Sequence, residues 1–182
     1  MKYFFSLIVI SLLLMLVGCS DTGDDLSTLS PNSGEPTVLA KHDVPFIGSM
    51  DGFVIPGGSV SCEPGWQTVS LDAEGEVLHC GKSTLHSENC SMGTSQQGGV
   101  VENGFGEIIA ASGDTIYVAY SGTFTFDTYP PTMGTFSLTG TIVGGSGRFE
   151  GATGSIDVSA VQDYTVGPPW HASLSWTGTI EY

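Results

Sequence analysis

The side chains of this 182-residue chain that could bind a metal, act as a nucleophile or trade a proton are four cysteines, four histidines and nineteen carboxylates. His42, His79, His86 and His171 are scattered without the short spacings of a zinc site. Asp21, Asp24 and Asp25 stand in a polar leader with no Asp-x-Asp-x-Asp-Gly pattern after them, so no calcium loop is indicated. No Gly-x-Ser-x-Gly elbow and no phosphate-binding glycine loop occurs, and the reading assigns neither a metal nor a cofactor. Cys80 has only Lys82 beside it to favour a thiolate, which argues against a nucleophile. Glu102 and Glu107 are the carboxylates that could serve as cavity acids, but their segment alternates too irregularly to say which faces inward. The catalytic residues, if the chain has any, are unknown at this point.

Cys19 is a different matter. It closes Leu16-Val17-Gly18-Cys19 directly after an apolar run from Phe4 to Val17, with Lys2 ahead of it. The run contains Ser6 and Ser11 and falls short of the roughly 20 apolar residues that a membrane-spanning helix needs. Charge, apolar run and small residues follow the layout of a secretory signal. The stretch resembles a bacterial lipobox, which implies cleavage before Cys19 and acylation of that cysteine, holding the protein to a membrane. Ser20 stands where an aspartate would favour inner-membrane retention, so the expected location is the outer membrane or cell surface. The expected organisation is a signal peptide over 1–18, a Ser-, Asp-, Gly- and Pro-rich flexible tether over 19–43, and one folded domain over 44–182. Past the signal, Lys41, Lys82 and Arg148 face nineteen carboxylates, which excludes nucleic acid as a partner because phosphate binding needs basic side chains.

From Val44 onward the pattern has period two. Ile116, Val118, Tyr120, Gly122, Phe124 and Phe126 share one face, against Thr115, Tyr117, Ala119, Ser121, Thr123 and Thr125. Gly134, Phe136, Leu138, Gly140 and Ile142 oppose threonines and a serine, as do Ala172, Leu174, Trp176, Gly178 and Ile180. These are half-buried antiparallel strands, apolar within and hydroxyl-rich without. Strand and turn signals give eight strands at 44–55, 66–71, 76–85, 99–111, 115–126, 133–144, 151–161 and 171–182. Asp72-Ala73-Glu74-Gly75 and Ser112-Gly113-Asp114 read as hairpin turns, while Pro130-Pro131 and Pro168-Pro169 mark longer connections. The fold expected is all-β, an eight-stranded antiparallel barrel, with a two-sheet sandwich as the alternative.

An exported domain favours disulfides. With strands 66–71 and 76–85 paired about Asp72–Gly75, Cys62 and Cys90 meet at the open end of the hairpin, whereas Cys80 sits mid-strand on the parity of Leu78. A Cys62–Cys90 bridge and a buried free thiol at Cys80 follow.

Gly144-Gly145-Ser146-Gly147-Arg148-Phe149-Glu150-Gly151-Ala152-Thr153-Gly154 resembles the glycine-rich turn of the allene oxide cyclase and dirigent barrel superfamily. Leu78-His79-Cys80-Gly81-Lys82, Ala111-Ser112-Gly113-Asp114 and Gly178-Thr179-Ile180-Glu181-Tyr182 are similar to further segments of that superfamily, in the same order. The resemblance implies a calycin-type barrel with an apolar interior, and relatives that cyclise a lipid epoxide or steer coupling of phenolic radicals. Phe149 would plug one barrel end. The inward parity collects Tyr120, Phe124, Phe136, Leu138, Leu174 and Trp176, which would serve either as core or as the lining of a pocket, since small eight-stranded barrels occur filled or hollow. Two functions remain open: a lipoprotein whose barrel binds a small apolar or aromatic molecule or displays an interaction surface, and an isomerase, cyclase or dirigent-like protein acting on a hydrophobic substrate. A hydroxyl-rich outer wall lacks the apolar patch that a stable oligomer needs, so a monomer is expected.

Overall fold

The computed structural model describes residues 43–182. Nine strands follow one another: β1 (Asp43–Pro45), β2 (Gly48–Pro56), β3 (Gln67–Val77), β4 (Gly81–Ser95), β5 (Gly98–Ile109), β6 (Thr115–Phe126), β7 (Met133–Gly145), β8 (Thr153–Asp163) and β9 (Trp170–Glu181). Each pairs antiparallel with the next from β2 to β9, and β9 pairs back onto β2, so eight strands close a barrel. Closure removes the exposed edges that an open sheet would present. The short β1 is the extra strand, continuing the edge of β9 past the end of β2. The expected first strand, 44–55, is thus interrupted at Phe46 and Ile47. Phe46 N–H donates to Gly178 O at 2.9 Å and Leu78 N–H to Ile47 O at 2.8 Å, so the interruption keeps its backbone paired.

Two expectations for the first hairpin need correction. Asp72–Gly75 is not a turn: β3 runs straight through it, with Ala73 buried and Asp72 and Glu74 exposed, the ordinary alternation of a strand with small inward residues. The chain reverses instead at Leu78, His79 and Cys80, where His79 (φ 67°) and Gly81 (φ 70°) take left-handed backbone. Cys80 therefore sits in a turn and not mid-strand. It is nevertheless a buried free thiol, and burial raises its pKa against the opposing influence of Arg148. The Cys62–Cys90 disulfide is present, and Cys90 lies within β4, opposite Thr68, rather than beyond the strand's end.

Ladders, disulfide and core named here all close within residues 43–182. The turns after β3, β5 and β7 gather at one end of the barrel, and the last of them carries a 3-10 turn at Gly147–Phe149. Phe149 is 1% exposed and joins a core of Phe46, Met50, Ile116, Ile142, Ile156 and Ile180. The Arg148 guanidinium stacks 4.6 Å from the Phe149 ring and donates to His79 O at 2.6 Å, tying this plug to the β3–β4 turn. The connections at the other end are 57–66, 96–97, 127–132 and 164–169.

Candidate functional site

The end ringed by those connections encloses a cavity of about 220 Å³. The same alternation that fills the plugged end lines this one. Tyr120, Phe124, Phe136, Leu138, Leu174 and Trp176 all stand on its wall. Five aromatic rings follow one another around the mouth. Phe136 stacks on Phe124 (centroids 5.4 Å, 29° between planes), Phe124 contacts Phe126 at 5.2 Å, Phe126 meets Tyr164 edge-on at 5.5 Å, and Tyr164 lies 5.2 Å from Trp170. All five rings line the cavity.

Glycine makes the space for two of the larger wall residues. A Cβ on Gly48 would come within 2.3 Å of Cζ2 of Trp176, its direct cross-strand partner, so the indole lies over bare backbone and forms the floor. A Cβ on Gly104 would meet Cε2 of Tyr120 at 2.4 Å. Trp176 Nε1 is buried and has no hydrogen-bond partner among the described residues.

Polar groups occupy three stretches of the wall, Gln67 at the start of β3 being one. On β4, Ser91 Oγ donates to Asn89 Oδ1 at 2.7 Å, and Asn89 Nδ2 donates to the Tyr120 hydroxyl at 3.3 Å, which itself donates to Glu88 O at 3.5 Å. Burial raises the Tyr120 pKa, and it pushes Tyr164 up to about 12, so both phenols stay protonated and neutral at physiological pH. On β8, Gln162 is 5% exposed and points inward, yet its carboxamide pairs with nothing among the described residues. Gln162 escapes the sequence reading because the strand was expected to end at Val161. Its signal is plain in retrospect of parity alone: Ile156, Val158, Ala160 and Gln162 share one face. Asn89 and Ser91 were missed in the same way, since β4 runs ten residues past the expected end at Leu85, to Ser95.

Neither Glu102 nor Glu107 enters the cavity. A bulge between Val101 and Gly104, with Asn103 at φ 52°, adds one residue to β5 and switches its parity, which is why the alternation could not be read. Val101, Gly106 and Ile108 line the cavity, and both glutamates lie off it. Lys82 sits near the plugged end, 3.6 Å from Glu74 on the outer wall. His86 pairs with Asp72 at 2.7 Å outside the barrel, a bond that raises its pKa, and His171 packs on the outside against Phe53. Among the described residues no three His, Cys, Asp or Glu side chains gather as metal ligands. Cys19 lies outside the described residues.

The mouth loops are held by two aspartates, Asp127 and Asp163. Asp127 accepts from the backbone N–H groups of Thr128 (2.8 Å), Thr132 (3.1 Å) and Met133 (2.8 Å), and from the Thr132 hydroxyl. That hydroxyl, with the N–H groups, holds its pKa well below the usual carboxylate range. Asp163 accepts from the hydroxyl (2.6 Å) and N–H (2.8 Å) of Thr165, which lower its pKa.

No family model and no curated protein matches the chain. Among solved structures it is similar to a pterocarpan synthase dirigent protein, at 12% identity over 83% of this chain and 98% of that one, with a TM-score of 0.31. The barrel described above is read from its own strand register and does not rest on that likeness.

Proposed function

We propose that the chain is a membrane-anchored bacterial lipoprotein whose barrel binds a small apolar or aromatic molecule in its open half. One observation carries the binding reading: the inward aromatic residues stand around an open cavity, whereas the other half of the same barrel is packed solid. The cavity falls just below the roughly 300–1,000 Å³ of ordinary small-molecule sites, so the ligand is small. Its binding is driven by apolar burial, worth about 25 cal/mol per Å² before the costs of association. No carboxylate, imidazole or amine lines the cavity, and its phenols, Tyr120 and Tyr164, are held neutral by burial, which favours binding over cyclase or isomerase chemistry.

The anchor rests on Leu16–Cys19 and on the sequence layout before it. A disulfide between Cys62 and Cys90 suits an exported chain. The outer face of β6 to β9 presents Thr123, Thr139, Ser159, Ser175 and Thr177 to solvent, which supports a monomer. Titration of the full chain in nanodiscs with fatty-acid-like and phenolic probes, followed through tryptophan fluorescence with Trp176→Phe as control, tests the cavity. Saturable binding of one class is expected, and absence of saturation with both would reject the reading. Cys19→Ala should abolish metabolic acyl labelling, and unchanged labelling would end the anchor hypothesis.

A further inference from the structure

The cavity's polar chemistry is more particular than its apolar walls. No Asp, Glu, His, Lys or Arg lines it. The two fully charged cations among the described residues, Lys82 and Arg148, both belong to the plugged end. The mouth carries the Asp127 and Asp163 carboxylates instead, on a chain of formal net charge −15. An anion approaching the cavity therefore meets a repulsive field outside and finds no counter-charge inside, where stripping its hydration costs most.

Gln162 points in the complementary direction. Its side chain is buried on the inward face of β8, between Gly134 on β7 and Ala172 on β9. Its carboxamide has no partner among the described residues and its polar atoms are not sealed from the cavity that the residue lines, so a bound molecule can reach them there. It offers one acceptor and two donors side by side, at the edge of the aromatic arc formed by Phe136, Phe124, Phe126, Tyr164 and Trp170. Resting on the binding reading above, we infer that the cavity selects an uncharged aromatic molecule whose carbonyl, amide or hydroxyl group pairs with Gln162, and that it excludes anions such as fatty-acid carboxylates. The rings supply flat apolar faces for the body of the ligand, and Gln162 fixes its orientation. A cationic aromatic would gain from the acidic mouth but would lose its hydration without a carboxylate beside it in the cavity.

Three probes with one ring system separate these cases: 2-naphthamide, 2-naphthoate and (2-naphthylmethyl)trimethylammonium, with naphthalene as the bare ring. Calorimetry on the full chain in nanodiscs near neutral pH, blanked against nanodiscs alone, should show saturable binding of 2-naphthamide. Binding of 2-naphthoate should be at least about tenfold weaker, with the ammonium ion also weaker. Gln162→Met, close in volume, should reduce 2-naphthamide affinity roughly three- to tenfold toward that of naphthalene while leaving naphthalene unchanged. Either charged probe binding as tightly as 2-naphthamide would overturn the selectivity, and a Gln162→Met chain that keeps the full amide preference would overturn the role of Gln162. Should that variant not fold, the probe series on the native chain decides the charge selectivity by itself. Failure of all four probes, naphthalene included, would instead remove the binding reading on which the inference rests.

Discussion

The two halves of the barrel are built from the same strands with the same alternation, and only one of them is filled. At the plugged end, Ile116, Ile142, Ile156 and Ile180 meet across the axis with Phe46, and the β7–β8 turn inserts Phe149 between them. At the open end, the inward positions carry aromatic rings and polar residues such as Asn89, Ser91 and Gln162, which line the cavity. Strand parity decides which side chains face inward. The ends differ in what caps them: the β7–β8 turn carries Phe149 into the core at one, whereas at the other Asp127 and Asp163 tie the loops to their own backbone and hydroxyls.

This contrast is sharpest in stability. Phe149→Ala should cost about 3–5 kcal/mol in chemical denaturation, because it empties a site with no solvent contact. Phe136→Ala at the mouth should cost no more than about 1–2 kcal/mol, because its half-exposed ring already faces open space, and should weaken ligand binding instead. Equal costs at the two positions would mean that the halves are packed alike.

The disulfide is the next effect in size. It ties the 57–66 loop to the outside of β4 and closes a span of 28 residues, so replacing both cysteines by serine should lower stability by about 3–4 kcal/mol. Hydrogen exchange would then rise first around residues 57–68, where Thr68 bonds Val60 O, rather than at the plug.

The smallest effect is one of pH. Both Asp127 and Asp163 have folded-state pKa values below the ordinary 3.8, chiefly through the hydroxyls of Thr132 and Thr165. Their ordering contribution is in full force above about pH 4 and is lost as pH falls through the lower folded values. Amide exchange in 127–133 and 163–165 should therefore accelerate on acidification before exchange at 147–149 does, and Asp127→Asn should reproduce the first change near neutral pH. Simultaneous loss at both ends would show that the mouth loops have no separate anchoring.

How much of this is legible in the sequence depends on local regularity. Strands β6, β7 and β9 announce their inward faces because hydroxyls and apolar residues alternate without interruption. The β3–β4 hairpin misleads, since Asp72, Glu74 and Glu76 look like turn chemistry but are the outward row of a long strand, while the true turn depends on His79 in a left-handed conformation. In β5 a single added residue at the bulge hides which glutamate faces where. The aromatic wall could thus be named from parity, but Gln162, Asn89 and Ser91 lie beyond strand ends that polar composition obscures. Parity is also blind to whether inward side chains close on one another or leave a space between them, and that difference separates a core from a cavity.

The chain's three tryptophans report on that difference directly. Trp170 stands at the mouth, Trp176 forms the floor, and Trp66 lies in the loop outside the cavity lining. Nitrogen–proton correlation spectra of indole-labelled full chain, titrated with 2-naphthamide, should show the Trp170 and Trp176 Nε1–H signals moving together to saturation while the Trp66 signal stays in place. Stationary Trp170 and Trp176 signals, or movement of Trp66 alone, would contradict a binding cavity in the open half of the barrel.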